Sequence, residues 1–117
     1  MRVVIAGSRH ISDAALIQKA VDESGFQVTT VICGEADGVD TLGKEWAVAN
    51  SVPVISFVPD WTDLRAYPCV IRHRSDGTAY NAAAGVIRNR KMAQNADAVI
   101  VIWDGKSRGS ANMIQEA

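Results

Sequence analysis

Four short runs of β-branched and other apolar residues recur along the sequence, and segments with helical periodicity separate them. The runs cover residues 3–6, 28–33, 54–57 and 98–103. They are apolar at nearly every position, which is typical of parallel strands covered on both faces, whereas a half-exposed strand would alternate. Parallel strands joined through helices form right-handed crossovers. The sequence therefore predicts an α/β fold, a three-layer Rossmann-like parallel sheet with helices on both faces.

The segments between these runs carry recognisable helix boundaries. Ser12 and Asp13 form a suitable N-terminal cap for a first helix, which should end at Gly25. A third helix is expected over residues 81–95, and a fourth from Gly109 onward. The second helix is predicted from an apolar stripe that includes Trp46 as a core residue and consists of Val39, Leu42, Gly43, Trp46 and Ala47.

Length and composition narrow the class of protein. The 117 residues suit one domain, residues 1–117, and the net charge of −1 excludes a surface that coats nucleic acid or membrane throughout. The N-terminal apolar stretch is too short for a signal peptide or a membrane helix. Cys33 and Cys69 lack metal-ligand spacing, so we expect a cytoplasmic protein with two reduced thiols. The last helical segment is short where the sequence ends at Ala117, and doubly wound folds ordinarily continue. We therefore expect a truncated chain, a disordered tail beyond Ala117 or an unusually short member of this fold class.

Glycines, hydroxyls and charged residues collect directly after each predicted strand. The turns that begin at residues 7, 34, 59 and 104 all have this composition. Because parallel strands point the same way, these turns should be neighbours at the carboxyl edge of the sheet, where open α/β sheets bind ligands. We therefore expect a small-molecule site at that edge.

Two of these turns favour a phosphate ligand. Gly7 and Ser8 follow the first strand, and Gly109 and Ser110 open the last helix, where exposed N–H groups attract anions. Arg9 adds a guanidinium that can hold phosphate through two hydrogen bonds. The plain alternative is that Gly7 only makes a turn. Neither a G-x-G-x-x-G motif nor a P-loop is present, which argues against a nicotinamide-dependent hydride enzyme and a P-loop NTPase.

The turn after the second strand is acidic. It contains Glu35, Asp37 and Asp40 together with Gly34 and Gly38. Such carboxylates can accept hydrogen bonds from ribose hydroxyls or act as a general base, so the three are candidate catalytic residues. Helix capping is the alternative. No cofactor is required by this pattern, although the carboxylates could hold a divalent ion that accompanies the ligand.

The predicted third helix presents an unusual face. Gly85, Arg88, Asn89 and Met92 lie on one side of it, and a glycine inside a helix costs about 1 kcal/mol relative to alanine. A close approach by a ligand or another backbone would explain the glycine, in which case Arg88 and Asn89 would contact the ligand. The alternative is simple helix packing with Arg88 exposed. Trp61, which follows the third strand, could stack on a base.

Residues 59–80 show no regular period, and such long loops are commonly functional. Half of the twelve basic residues fall between residues 65 and 91, where Asp76 is the one acidic residue. This stretch could close over an anionic ligand or contact a nucleic-acid backbone. The basic residues are Arg65, Arg72, Arg74, Arg88, Arg90 and Lys91.

Seven short motifs, in order and spread over nearly the whole chain, resemble the SLOG superfamily of Rossmann-like nucleotide-binding domains. The resemblance is to its YspA/cpYpsA-related branch, whose members occur in bacteria and phages. The motifs are Gly7-Ser8-Arg9, Gly34-x-x-x-Gly38-Val39-Asp40, Trp46-Ala47, Asp60-Trp61, Gly85-x-x-Arg88-Asn89-x-x-Met92, Ala96-Asp97 and Gly109-Ser110.

This resemblance implies a ligand of the nucleoside phosphate, NAD or ADP-ribose type. The LOG-type phosphoribohydrolases of the superfamily carry a catalytic glutamate in a Gly-Gly-x-Gly-Thr-x-x-Glu loop. Aligned on Gly109-Ser110, the position of that glutamate is Met113, whose thioether cannot act as an acid or a base. LOG-like hydrolysis would therefore need one of the three carboxylates after the second strand. The resemblance also implies pairing of two copies through helices, a homodimer.

Three functions follow, in decreasing order of support. The first is binding of a nucleotide-type small molecule in the cytoplasm, as a sensor or a slow processing enzyme. The second is a nucleotide N-glycosidase, in which a carboxylate stabilises the cationic ribosyl transition state. The third is a DprA-like single-stranded DNA binder that uses the basic residues between positions 65 and 91.

Overall fold

A computed structural model describes residues 1–8, 10–34, 38–103, 105 and 108–116, with the side chains of residues 108 and 109 excepted. Ten helices and strands are assigned within these residues. In chain order they are β1 (Arg2–Gly7), α1 (Ala15–Ser24), β2 (Thr30–Cys33), α2 (Val39–Ala49), β3 (Val54–Ser56), β4 (Ile71–His73), β5 (Ala79–Asn81), α3 (Ala84–Asn95), β6 (Ala98–Ile102) and α4 (Arg108–Glu116).

The predicted parallel sheet is confirmed. Its four strands are arranged in the order β3-β2-β1-β6. Val3 lies opposite Val31 in β2 and opposite Ala98 in β6, and both pairings are parallel. The chain therefore steps outward from β1 to β3 and then returns to the other side of β1 to form β6. The strand order reverses at the carboxyl ends of β1 and β6.

Two apolar clusters, one on each face of the sheet, explain why the strands lack alternation. Val3 and Ile5 of β1 pack against α1 and α2, whereas Val4 and Ala6 pack against Met92 of α3 and the residues of α4. Successive side chains of a strand point to opposite faces, so a strand covered on both faces must be apolar throughout. The three-layer arrangement is thus the one that the sequence predicts. The edge strand β3 is more exposed than β1 and β2.

The predicted end of α1 at Gly25 and the start of α4 near Gly109 are confirmed, whereas the starts of α1 and α3 differ from the prediction. The N-cap of α1 is Ala14 and carries no side-chain cap hydrogen bond, although Ser12 and Asp13 were predicted there. Asp13 Oδ1 accepts a hydrogen bond from the N–H of Ala15 (3.0 Å), and Gly25 ends α1 with a φ of 71°. The start of α3 was predicted too early, because Asn81 ends β5 and its Oδ1 accepts a hydrogen bond from the N–H of Ala83 (2.9 Å). Trp46 is only partly buried, since its Nε1 donates to Gln18 at the surface.

Residues 59–81, here called the arm, are more regular than the sequence predicts. Strands β4 and β5 form an antiparallel hairpin in which Ile71 lies opposite Asn81. The turn contains Asp76 and Gly77, and Gly77 has a φ of 89°, which favours glycine. An Asp-Gly pair is a hairpin signal, and the sequence analysis missed it. The side chains of residues 70–78 are all exposed.

One buried side chain, Asn81, connects the arm to the domain. Its Oδ1 accepts hydrogen bonds from the N–H groups of Val70 (3.1 Å) and Ala83 (2.9 Å). Its Nδ2 donates to the carbonyls of Asp63 (3.2 Å) and Pro68 (3.3 Å). Four backbone groups that no strand or helix satisfies are therefore satisfied by one amide.

No helix in the described part of the chain has the length and apolar character that crossing a membrane requires. Cys33 is buried at the end of β2, and Cys69 is partly buried in the arm. Both are free thiols.

Candidate functional site

The carboxyl ends of β1 and β6 meet the start of α2. The N–H of Ser8 donates to the carbonyl of Ile102 (3.0 Å), and the carbonyl of Ser8 accepts from the N–H of Val39 (3.3 Å). On the other side of β2, the N–H of Phe57 donates to Cys33 (2.9 Å). The described turns that follow β1, β2 and β3 therefore lie along one edge of the sheet. This edge, at the reversal of strand order, is where open α/β sheets bind ligands.

Gly7 is required by packing at this edge. A Cβ on Gly7 would overlap the carbonyl oxygen of Ile102 and would stand 2.8 Å from Cγ2 of Val39. Only glycine lets β1 approach β6 and α2 so closely. The structure thus gives Gly7 a packing role, and a role in binding a ligand stays a prediction.

The start of α2 combines a glycine with a buried acid. Gly38 precedes the helix with a φ of 74°, a conformation that favours glycine, and Asp40 is buried in the first turn. A carboxylate at this position interacts favourably with the helix dipole. The capping alternative and a ligand role for Asp40 are compatible, because both place its charge at the carboxyl edge.

Three elements meet at Gly34, directly after β2. Nη1 of Arg88 in α3 donates to the carbonyl of Gly34 (2.6 Å). A Cβ on Gly34 would stand 2.8 Å from that Nη1 and 3.0 Å from Oδ2 of Asp40 in α2. The guanidinium and the carboxylate are therefore neighbours at the end of β2, and the absence of a side chain at residue 34 makes room for both. The suggestion that Arg88 is exposed is wrong, because it is partly buried and hydrogen-bonded.

The adjacent residue extends this arrangement to α4. Nε of Arg88 donates to Oδ1 of Asn89 (2.9 Å), and Nδ2 of Asn89 donates to Oδ1 of Asn112 (3.0 Å). Asn89 is buried, so its described contacts position Arg88 and join α3 to α4. Asn112 was not anticipated, since a lone amide in a helix carries no signal for a partner in another helix.

Gly85 lies beside the arm. A Cβ on Gly85 would meet Cη2 of Trp61 at 3.6 Å, which is an ordinary contact. The described neighbours of Gly85 therefore do not demand a glycine. Trp61 is 37% exposed and lies edge-on to Tyr80, with ring centroids 6.5 Å apart.

Buried polar side chains concentrate at the carboxyl edge. Five polar side chains are buried among the described residues, and all except Asn81 belong to this edge or to the helices behind it. Within the same residues no buried side-chain nitrogen or oxygen lacks a partner. Since burying polar groups is costly unless they are hydrogen-bonded, such a cluster is a specific feature of the fold. Its members are Ser8, Asp40, Asn89 and Ser110.

A cleft of about 130 Å³ opens beside Arg88, between α3 and the chain that follows β3. Its walls include Phe57 and Ile87, and Asp60 and Lys91 bring opposite charges to it. The pKa of Asp60 is lowered by hydrogen bonds from the hydroxyl and the N–H of Thr62, with a smaller contribution from Lys91. A second, more open hollow of about 410 Å³ is lined by α2 residues alone.

Several predicted site residues cannot be placed. Arg9, Glu35 and Asp37 lie outside the described residues. Gly109 belongs to the first turn of α4, but only its backbone is described. Among the residues that the structure describes, no group of three or more His, Cys, Asp or Glu side chains could hold a metal ion. A divalent ion that accompanies the ligand stays a prediction.

Met113 is the residue that the predicted alignment on Gly109-Ser110 sets against the LOG-type glutamate. It is 1% exposed and packs in the apolar cluster formed by β1, β2, α3 and α4. This position therefore contributes a core side chain in the present fold.

Comparison with known proteins agrees with this architecture. No curated protein and no solved structure matches the chain. A family model described as the YspA, cpYpsA-related SLOG family matches residues 1–63, which is more than half of the sequence and includes the turns after β1, β2 and β3. The chain therefore belongs to the YspA, cpYpsA-related SLOG family.

Proposed function

We propose that this protein binds a nucleotide or a nucleotide-derived ligand of the nucleoside phosphate, NAD or ADP-ribose type at the carboxyl edge of its sheet. The observation that carries the proposal is the convergence of Arg88 and the buried polar side chains at the carboxyl edge of the sheet. Membership of a nucleotide-related family supports it.

The described residues supply the groups that such a ligand needs. Both α2 and α4 begin at this edge, and the N–H groups of a helix start favour phosphate. Gly34 and Asn89 hold Arg88 in place, so its guanidinium is oriented before a phosphate binds. The carboxylate of Asp40 can accept hydrogen bonds from ribose hydroxyls.

The ligand is sensed or processed slowly in this proposal. Rapid LOG-type hydrolysis relies on a glutamate, and the aligned residue, Met113, is a core thioether. A thioether neither transfers protons nor stabilises a cationic ribose. Binding is therefore the primary activity that these residues support.

Calorimetric titration with AMP, ADP-ribose and NAD tests the proposal. We expect at least one of them to release or absorb heat and to raise the melting temperature. Asp40→Asn, which keeps the shape of the side chain, should weaken that ligand about tenfold, as expected when one charged hydrogen bond is lost. Asp22→Asn, on the exposed side of α1, is the matched control and should bind normally. No binding of any of the three ligands would refute the proposal.

The second candidate is nucleotide N-glycosidase activity. It is favoured by Asp40, a buried carboxylate at the same edge that could stabilise a cationic ribosyl transition state. Release of adenine from AMP, followed by chromatography and abolished in Asp40→Asn, would establish it. Binding of AMP without release of adenine would leave the sensor role.

A further inference from the structure

The five arginines between residues 65 and 90 fall into two groups. Arg88 bonds to Gly34 at the end of β2, and Arg90 forms an ion pair with Glu116 of α4 (Nε–Oε2, 3.3 Å). The second group, Arg65, Arg72 and Arg74, lies on the arm. These three side chains are exposed and form no ion pair with any described residue.

Flat groups accompany the arginines. The guanidinium carbon of Arg74 lies 4.9 Å from the centre of the Tyr80 ring, and the rings of Tyr80 and Trp61 form a T-shaped pair with an interplanar angle of 72°. Trp61 in turn approaches Gly85 of α3. Trp61, Tyr80 and the guanidinium of Arg74 are therefore in contact with one another from the base of the arm to the hairpin. Bases of single-stranded nucleic acids stack on aromatic rings and on guanidinium planes of this kind.

The surface of the hairpin lacks a described partner. Tyr67 is 92% exposed, and Val70 and Ile71 are also exposed. A two-stranded hairpin is marginally stable by itself, and in this one β4 is exposed at all three residues whereas β5 is half-buried or buried. The arm carries three acidic residues and three arginines, but two of the acids, Asp60 and Asp63, lie at its base and accept hydrogen bonds from backbone N–H groups there. The outer part of the arm, from residue 64 onward, has the three arginines against Asp76 alone, and this part favours an anionic partner.

We propose that the arm binds single-stranded nucleic acid, with backbone phosphates on Arg65, Arg72 and Arg74 and bases stacked along Trp61, Tyr80 and Arg74. Positive charge interleaved with π faces suits a flexible polyanion that carries aromatic bases. This interaction is separate from the nucleotide site at the carboxyl edge and does not rest on it.

Fluorescence anisotropy with labelled oligonucleotides of about 15 residues, oligo(dT) and oligo(U), tests the proposal on the full chain at a series of salt concentrations. The test variant is Arg72→Ala/Arg74→Ala. The matched control, Arg2→Ala/Lys19→Ala, removes two exposed charges away from the arm. Arg72→Lys/Arg74→Lys keeps the charges and removes the planar groups. Circular dichroism verifies that each variant is folded.

We expect wild type and control to bind at about 50 mM salt, and the test variant to bind about tenfold more weakly. The slope of log affinity against log salt concentration should be smaller by about 1.4 in the test variant, because two contacts to single-strand phosphates are lost. The lysine variant should keep the slope and lose affinity. Preference for oligo(U) or oligo(dT) would tell RNA from DNA as the partner.

Three results would overturn the proposal. They are no binding of either oligonucleotide at low salt, equal binding by the test variant and the control, and self-association of the chain that depends on Arg72 and Arg74 without oligonucleotide binding. The test variant leaves the carboxyl edge intact, so its titration with AMP should match that of wild type. This titration therefore distinguishes a failure of the arm proposal from a failure of the proposed nucleotide site.

Discussion

The central strand β1 and the hairpin strand β4 show two ways of holding a strand in one chain. Four of the six residues of β1 are buried, whereas all three residues of β4 are exposed. The sheet is stabilised by apolar burial and close approach of backbones, and the arm by a small number of hydrogen bonds centred on Asn81. The difference teaches that the sheet should respond to changes in side-chain volume, and the arm to the loss of polar groups.

The largest effect should come from crowding the sheet at Gly7→Ala. The added methyl group would overlap the carbonyl of Ile102, which the backbone cannot easily move, and we expect a loss of about 3 kcal/mol in the free energy of unfolding. Urea denaturation measures it. Gly25→Ala, at a glycine with open space around it and a φ of 71°, should cost only about 1 kcal/mol and is the control. Equal losses would contradict the close approach at Gly7.

Removal of one amide should loosen the arm and leave the sheet intact. In Asn81→Ala four backbone groups lose their partner, and we expect a cost of about 2 kcal/mol. Hydrogen exchange should accelerate for Val70 and Ala83 and stay slow for Val4. Asn81→Asp keeps the acceptor oxygen but sets a second oxygen against the carbonyls of Asp63 and Pro68 in a buried site, and it should cost at least as much as Asn81→Ala. Equal acceleration in β1 would show that arm and sheet unfold together.

The smallest changes in the free energy of unfolding should come from two glycine-to-alanine variants, and they should have opposite signs beside the arm and against the sheet. Gly85→Ala, where a Cβ would make an ordinary contact with Trp61 of the arm, should stabilise the protein by about 0.5–1 kcal/mol through helix propensity. Gly43→Ala places the same atom 2.7 Å from Cγ2 of Ile5 in β1 and should destabilise it by about 1–2 kcal/mol. The melting temperatures of the two variants test this prediction. A shift of the same sign in both would contradict the difference in packing between Gly85 and Gly43.

The sheet could be predicted from the sequence because its strands are buried in layers. Burial of Val3 and Val4 on opposite faces leaves an unbroken apolar run, and that run is visible without any tertiary information. The hairpin has no such sequence pattern, because β4 is exposed on both faces and shows no alternation of apolar and polar residues. Its turn residues, Asp76 and Gly77, were the available signal.

The candidate site was predicted in position more than in detail. Topology brings the turns after β1, β2 and β3 to one edge, and this follows from strand direction alone. The partners of Arg88 do not follow, because Gly34 is 54 residues away in sequence and Asn112 acts through Asn89. Such contacts depend on the distance between α3 and the sheet, which local sequence patterns do not encode.

The two ends of the arm are held together at its base. The N–H of Asn81 donates to the carbonyl of Trp61 (2.7 Å), so the chain leaves the domain and returns to it at nearly the same point. An excursion closed in this way is modular. Its outer part could be lengthened, trimmed or exchanged for another hairpin without altering the route that carries α3, and with it Arg88, to the end of β2.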